Sequence, residues 1–203
     1  MRTIVAIGDS TTAGTPGFAS PLEAPPDGAG DVESQYAYWL MQIHADWRVL
    51  NRGVNGERSD QIRARFTRDV LDATPDAVVI LAGVNDIYQG RAAASVEREL
   101  AAMYAAAAGA HVPVVAATIL PFDTATPEQN TQMYAVNAWI VTHAASHGLV
   151  CCDTRAGVAA PGTADRLVSS PDHLHPSPDG YRLMALVIEP AVKRALEKAH
   201  PLL

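Results

Sequence analysis

Cysteine is scarce in this sequence: there are two, Cys151 and Cys152, adjacent in an apolar run. Neighbours on an extended chain point to opposite faces, so an ordinary disulfide between them is strained and no disulfide framework is implied. Both read as small buried hydrophobes. Positive charge is also sparse and scattered: 15 Lys and Arg against 22 Asp and Glu leave a formal net charge of −7. A nucleic-acid surface concentrates positive charge against phosphates, so no nucleic-acid partner is expected. No apolar run is long enough to span a bilayer, which argues against integral membrane association. The chain as given opens without a charged segment leading into an apolar one, and the cytoplasm is the expected location. Repeats and charged linkers are lacking too. With 203 residues and 48% of them hydrophobic, one well-buried domain over residues 1–203 is expected.

What the chain does contain is an alternation of short β-branched runs with longer helical stretches. The runs are residues 3–8 (TIVAIG), 48–51 (RVLN), 77–82 (AVVILA), 112–118 (VPVVAAT) and 149–153 (LVCCD). Three are almost continuously apolar, which suits strands buried on both faces. Helical periodicity marks 35–45, 60–71 and 95–108. Two further helices, 127–147 and 178–198, have good entry signals: Thr126 before Pro127, and Ser177 before Pro178. Pro190 lies inside the last of these, and a kink or break is expected there. Strand followed by helix, repeated, predicts an α/β fold: a five-stranded parallel sheet in a three-layer α/β/α sandwich. In such sheets the site lies beyond the carboxyl ends of the strands.

The segments at those ends are polar or glycine-rich. Gly8-Asp9-Ser10-Thr11 follows the first strand, Asn51-Arg52-Gly53-Val54-Asn55-Gly56 the second, and Gly83-Val84-Asn85-Asp86 the third. Asp172-His173-Leu174-His175 precedes the last helix. Together they supply what acyl transfer needs. A serine hydroxyl is a poor nucleophile unless an imidazole takes its proton, and a carboxylate must fix the tautomer of that imidazole. The tetrahedral intermediate needs preorganised donors. Ser10 is therefore the candidate nucleophile, His175 the base and Asp172 its orienter. The Ser10 N–H, the Gly53 N–H and the Asn85 side-chain amide are the candidate oxyanion donors. The three-residue spacing of Asp172 and His175 puts their side chains on one side of a turn. His173 follows Asp172 directly, where side chains diverge, and is the weaker candidate.

These four segments resemble the signature blocks of the GDSL esterases, or SGNH hydrolases. Gly8-Asp9-Ser10 resembles the first block, although Thr11 stands where the name-giving motif has Leu. Asn51-x-Gly53 resembles the second, Gly83-x-Asn85-Asp86 the third and Asp172-x-x-His175 the last, in the family's order. The resemblance implies a flavodoxin-like fold and cofactor-free hydrolysis of esters or thioesters. It also implies the triad Ser10, Asp172 and His175, with Ser10, Gly53 and Asn85 around the oxyanion. The α/β-hydrolase elbow Gly-x-Ser-x-Gly is absent.

A small-molecule ester with a short acyl group is the expected substrate; lysophospholipids, acyl thioesters and acetylated sugars are alternatives on the same triad. A flavodoxin-like phosphate-binding module would use the Thr- and Gly-rich segment after the first strand, but leaves Asn85 and the Asp172–His175 pair unexplained. A carbohydrate- or partner-binding domain without turnover is a further alternative. His143 and His147 have a metal-capable i, i+4 spacing without a zincin motif, and no metal is expected. The long segment 15–33 and residues 121–127 are candidate walls of the pocket. Arg52, Glu57 and Arg58 either bias the leaving group or pair at the surface.

Overall fold

A computed structural model describes residues 1–14 and 31–199. Five parallel strands form its centre: β1 (Arg2–Gly8), β2 (Trp47–Gly53), β3 (Ala77–Leu81), β4 (Val114–Ala117) and β5 (Val150–Cys152). Their order is β2-β1-β3-β4-β5. Every residue of β3 and β4 is buried, as expected of strands covered on both faces. The edge strand β2 alternates at its start, with Trp47 and Val49 buried and Arg48 exposed. In register, Gly8 of β1 pairs with both Gly53 of β2 and Leu81 of β3, so three strand ends finish side by side.

Helices cover both faces of the sheet. In chain order they are α1 (Ser10–Ala13), α2 (Tyr36–Ile43), α3 (Ser59–Ala64), α4 (Phe66–Asp69), α5 (Val84–Tyr88), α6 (Ala93–Gly109), α7 (Pro127–Ser146), α8 (Thr154–Val158) and α9 (Pro178–Ala199). Helices α2 and α9 pack together on one face, while α3, α6 and α7 pack side by side on the other. The buried stripe of α9, from Tyr181, Met184, Ala185 and Ile188 to Val192 and Ala195, has the spacing of one helical face.

The structure differs from the sequence reading at three points. The periodic stretch 60–71 is not one helix: it divides at Arg65 into α3 and α4 and ends in a 3-10 turn, Leu71–Ala73. Pro190 does not break α9, which runs through it. The carbonyl that loses its donor belongs to Leu186, one turn earlier on the exposed face, where water can replace the missing N–H. A small antiparallel hairpin, β6 (Ala159–Ala160) and β7 (Thr163–Leu167), was not expected. Its turn contains Gly162 at φ 81°. Most of the long segment expected as a pocket wall, residues 15–30, lies outside the described residues.

Candidate active site

The nucleophile candidate stands where β1 ends. Asp9 caps the single turn α1, accepting the Thr11 N–H at 2.9 Å, and Gly14 closes it in the left-handed region. Ser10 is the first residue of that turn, so its own N–H has no acceptor within the helix. On the far side of the cleft, Asp172 organises the loop that leads into α9. Its Oδ1 accepts the backbone N–H groups of Leu174 (3.0 Å) and His175 (2.8 Å). Its Oδ2 lies 2.7 Å from His175 Nδ1, and His175 Nε2 lies 2.8 Å from Ser10 Oγ. Partial burial pushes the Asp172 carboxyl up, but the hydrogen bonds from the His175 side chain and from the two N–H groups outweigh it and hold the group below its ordinary value. An ionised Asp172 places the imidazole proton on Nδ1 and leaves Nε2 to accept the Ser10 hydroxyl. The structure thus brings Ser10, His175 and Asp172 into one hydrogen-bonded line.

His173 is arranged differently. Its backbone is left-handed, at φ 65°, and its ring lies 3.3 Å from Asp123 Oδ2 with the side chain 70% exposed. Asp123 also donates its N–H to the His173 carbonyl at 2.8 Å and accepts the Leu167 N–H at 2.9 Å. This ties the loop that carries His175 to the chain after β4. Nothing in the sequence pattern singled out Asp123.

The proposed donors divide. Asn85, in α5, lines the cleft with Ser10 and His175 and gives one side-chain N–H to the Glu57 carbonyl at 3.0 Å, leaving its second N–H without a partner among the described residues. Gly53 does not fit the role expected of it. Its N–H is taken by Asn51 Oδ1 at 3.0 Å, and it does not line the cleft. Its glycine identity has a packing cause: a Cβ there would lie 2.0 Å from the Ala13 nitrogen. Gly56 is the glycine of this segment that lines the cleft. It sits at φ 76°, and no partner takes its N–H among the described residues. The two glycines lie in one motif, and spacing alone does not say which faces the substrate.

Behind the donors is a polar scaffold. Asp86 is fully buried and accepts both the Ser59 N–H (2.7 Å) and the Ser59 hydroxyl (3.0 Å), with Arg91 at 3.2 Å. This fastens the start of α3 to α5. Asn51 Nδ2 donates to Gln35 Oε1 at 2.7 Å and more weakly to the Ala13 carbonyl at 3.3 Å. Glu57 pairs with Arg65, and Arg58 pairs with Asp60, so both are engaged in ion pairs. Burial pushes the Asp9 carboxyl up to about 6, against the Thr11 N–H and the proximity of His175. Asp9 Oδ2 has no hydrogen-bond partner among the described residues.

Between these groups lies a cleft of about 210 Å³ whose apolar lining is Val84, Tyr88, Phe122 and Leu174. Phe122, from the 121–127 segment, is buried, whereas Tyr88 is 52% exposed; their rings meet edge-to-face at 5.5 Å. Elsewhere, the His143 and His147 rings stack on each other at 3.9 Å. No group of three or more His, Cys, Asp or Glu side chains suited to a metal ion occurs among the described residues. No helix among them is long and apolar enough to cross a membrane.

A parallel sheet carrying a hydroxyl–imidazole–carboxylate line at its carboxyl edge has the organisation of an acyl-transferring hydrolase. Residues 6–183 match the GDSL-like lipase/acylhydrolase family, and the chain belongs to it. It is a carboxylic ester hydrolase. No curated protein matches the chain. Among solved structures, a G-D-S-L family lipolytic protein from Desulfitobacterium hafniense is similar, with 24% identity, a TM-score of 0.78, and coverage of 94% of this chain and 99% of that one. The acetylxylan esterase Axe2 from Geobacillus stearothermophilus superposes with a TM-score of 0.72 at 19% identity, covering 96% of this chain and 94% of its own. TesA does so with a TM-score of 0.74 at 21% identity, covering 96% of this chain and 99% of its own. These likenesses establish the three-layer fold.

Proposed function

We propose that the protein hydrolyses esters of short carboxylic acids through an acyl-enzyme intermediate on Ser10. The observation that carries this reading is the continuous line from Asp172 through His175 to Ser10 Oγ, opening on a small cleft. His175 Nε2 takes the hydroxyl proton as Oγ attacks the ester carbonyl, and the carbonyl oxygen becomes an oxyanion. The donors for it are the Ser10 N–H, the Gly56 N–H and the second N–H of Asn85; Gly56 takes the place first assigned to Gly53. Collapse of the intermediate breaks the ester C–O bond, and the imidazolium returns its proton to the departing alcohol. Water then attacks the acyl-enzyme by the same route in reverse, releasing the acid and restoring Ser10. Asp172 stays ionised throughout and holds the imidazole in orientation.

Cleft size supports a short acyl group. At about 210 Å³ it falls below the roughly 300–1,000 Å³ of sites that hold drug-sized ligands. The fold shared with an acetylxylan esterase is consistent with a small acyl group as well. A panel of p-nitrophenyl esters from C2 to C12, with the wild type and Ser10→Ala, tests the proposal. Rates should fall with acyl length, and the variant should lose both turnover and fluorophosphonate labelling. Undiminished labelling of Ser10→Ala would remove Ser10 from its role, and a maximum at the longest chains would remove the short-acyl assignment.

A further inference from the structure

We infer that Arg65 is a positioning residue for the oxyanion donors, acting through Glu57 on Asn85 and directly on the strand end that precedes Ser10. The inference rests on the reading of Asn85 as an oxyanion donor. Arg65 stands at the junction of α3 and α4 and is only 8% exposed. Its guanidinium has four acceptors. Nη2 donates to the Gly8 carbonyl at 2.9 Å and Nη1 to the Arg52 carbonyl at 2.9 Å. Nη1 also donates to Asp69 Oδ2 at 2.7 Å, and Nε to Glu57 Oε2 at 2.6 Å.

Two of these acceptors lie at the ends of neighbouring strands. Gly8 closes β1 two residues before Ser10, and its carbonyl also accepts the Val54 N–H at 3.1 Å. Arg52 lies at the end of β2, four residues before Gly56. One planar cation therefore joins the bases of the two loops that carry the backbone donors. Its third contact leads to the side-chain donor. The Glu57 carboxylate is held by Arg65, while the backbone carbonyl of the same residue accepts Asn85 Nδ2 at 3.0 Å. If Glu57 shifts, the bond that orients the Asn85 amide shifts with it. Donors act on a transition state only when they are already aimed at the developing charge, so small displacements weaken catalysis more than binding. A guanidinium suits this task because its rigid fork reaches several carbonyl and carboxylate oxygens at once, whereas an ammonium presents a single nitrogen.

A purely structural Arg65 would lower stability and leave the chemistry alone. The distinguishing measurement is a double-mutant cycle among Arg65→Lys, Glu57→Gln and Asn85→Ala on one p-nitrophenyl ester. Thermal melts are recorded alongside, together with the Ki of a trifluoromethyl ketone, whose hemiketal oxyanion engages the same donors. Arg65→Lys and Glu57→Gln should each lower kcat roughly tenfold and change KM less than about twofold. Ki should rise by the same factor as kcat falls. In the Asn85→Ala background Glu57→Gln should cause no further loss, because the residue it acts through is gone, and Arg65→Lys should keep only the part of its loss that it exerts through the two strand ends. Glu57→Gln keeps the test decisive if Arg65→Lys fails to fold, since it leaves the buried cation and its other three acceptors in place. Fully multiplicative losses in the Glu57→Gln/Asn85→Ala double variant, or lowered melting with unchanged kcat and Ki, would overturn the inference. An Asn85→Ala enzyme with wild-type kcat would instead remove the oxyanion reading on which it stands.

Discussion

His175 Nε2 stands 2.8 Å from Ser10 Oγ although 165 positions separate the two residues. The contact depends on Asp172, which holds the ring through Nδ1 and the loop through two N–H groups. Asp172→Asn keeps an oxygen for those N–H groups, but its amide donates where the carboxylate accepted. The imidazole proton is then driven to Nε2, facing Ser10. We expect kcat to fall about 10³–10⁴-fold while the melting temperature changes little. A loss below tenfold in steady-state kinetics would remove Asp172 from the triad.

Gly53, which ends β2, and Gly56, in the loop after it, should respond unequally to the same substitution. Gly53→Ala places a Cβ 2.0 Å from the Ala13 nitrogen, which is backbone and cannot swing aside. The expected cost is about 3 kcal/mol or failure to fold. No described residue lies within 4 Å of a Cβ at Gly56, but φ is 76°, so Gly56→Ala should cost about 1–2 kcal/mol and reduce kcat as the loop relaxes. Urea melts of both variants, with kcat for those that fold, check the assignment. Equal destabilisation would undo it.

Tyr88 and Phe122 bound the small cleft. Shortening either ring should move the preferred acyl length upward, each methylene then accommodated gaining up to ~0.8 kcal/mol. Tyr88→Ala is the cleaner variant, because Tyr88 is half exposed and Phe122 is core. Its chain-length profile on p-nitrophenyl esters should shift from C2 toward longer acids; an unchanged profile would place the acyl group elsewhere.

Asp9 makes a prediction about pH. Its carboxyl is pushed from 3.8 to about 6 by burial, so the folded protein holds that proton after the unfolded chain has released it. Stability therefore falls as pH rises from roughly 4 to 6, by up to about 3 kcal/mol from this group. Asp9→Asn does not titrate, and its oxygen can still accept the Thr11 N–H. Its stability relative to the wild type should rise by on the order of 2–3 kcal/mol between pH 4 and 7. Denaturant melts across that range showing a constant difference would refute the burial of a titrating acid at this position.

Local pattern made much of this protein legible before any coordinates. The β-branched runs and the 3.6-residue periodicities report burial within a few neighbouring positions, so all five sheet strands and the long helices could be read. Where a short element depends on distant partners, the pattern was silent or wrong: the β6–β7 hairpin went unseen, and the stretch through Arg65 read as one helix.

By itself, the sequence determined which kinds of chemical group stand after each strand, and that Asp172 and His175 are near enough along the chain to meet. Tertiary structure alone decided that His175 reaches Ser10, and that Gly56 rather than Gly53 lines the cleft. It alone also joined Arg65 to the ends of β1 and β2. The reason is physical. Backbone propensity and side-chain periodicity act over a turn or two, whereas a glycine's role depends on which atoms the folded chain brings against it from elsewhere.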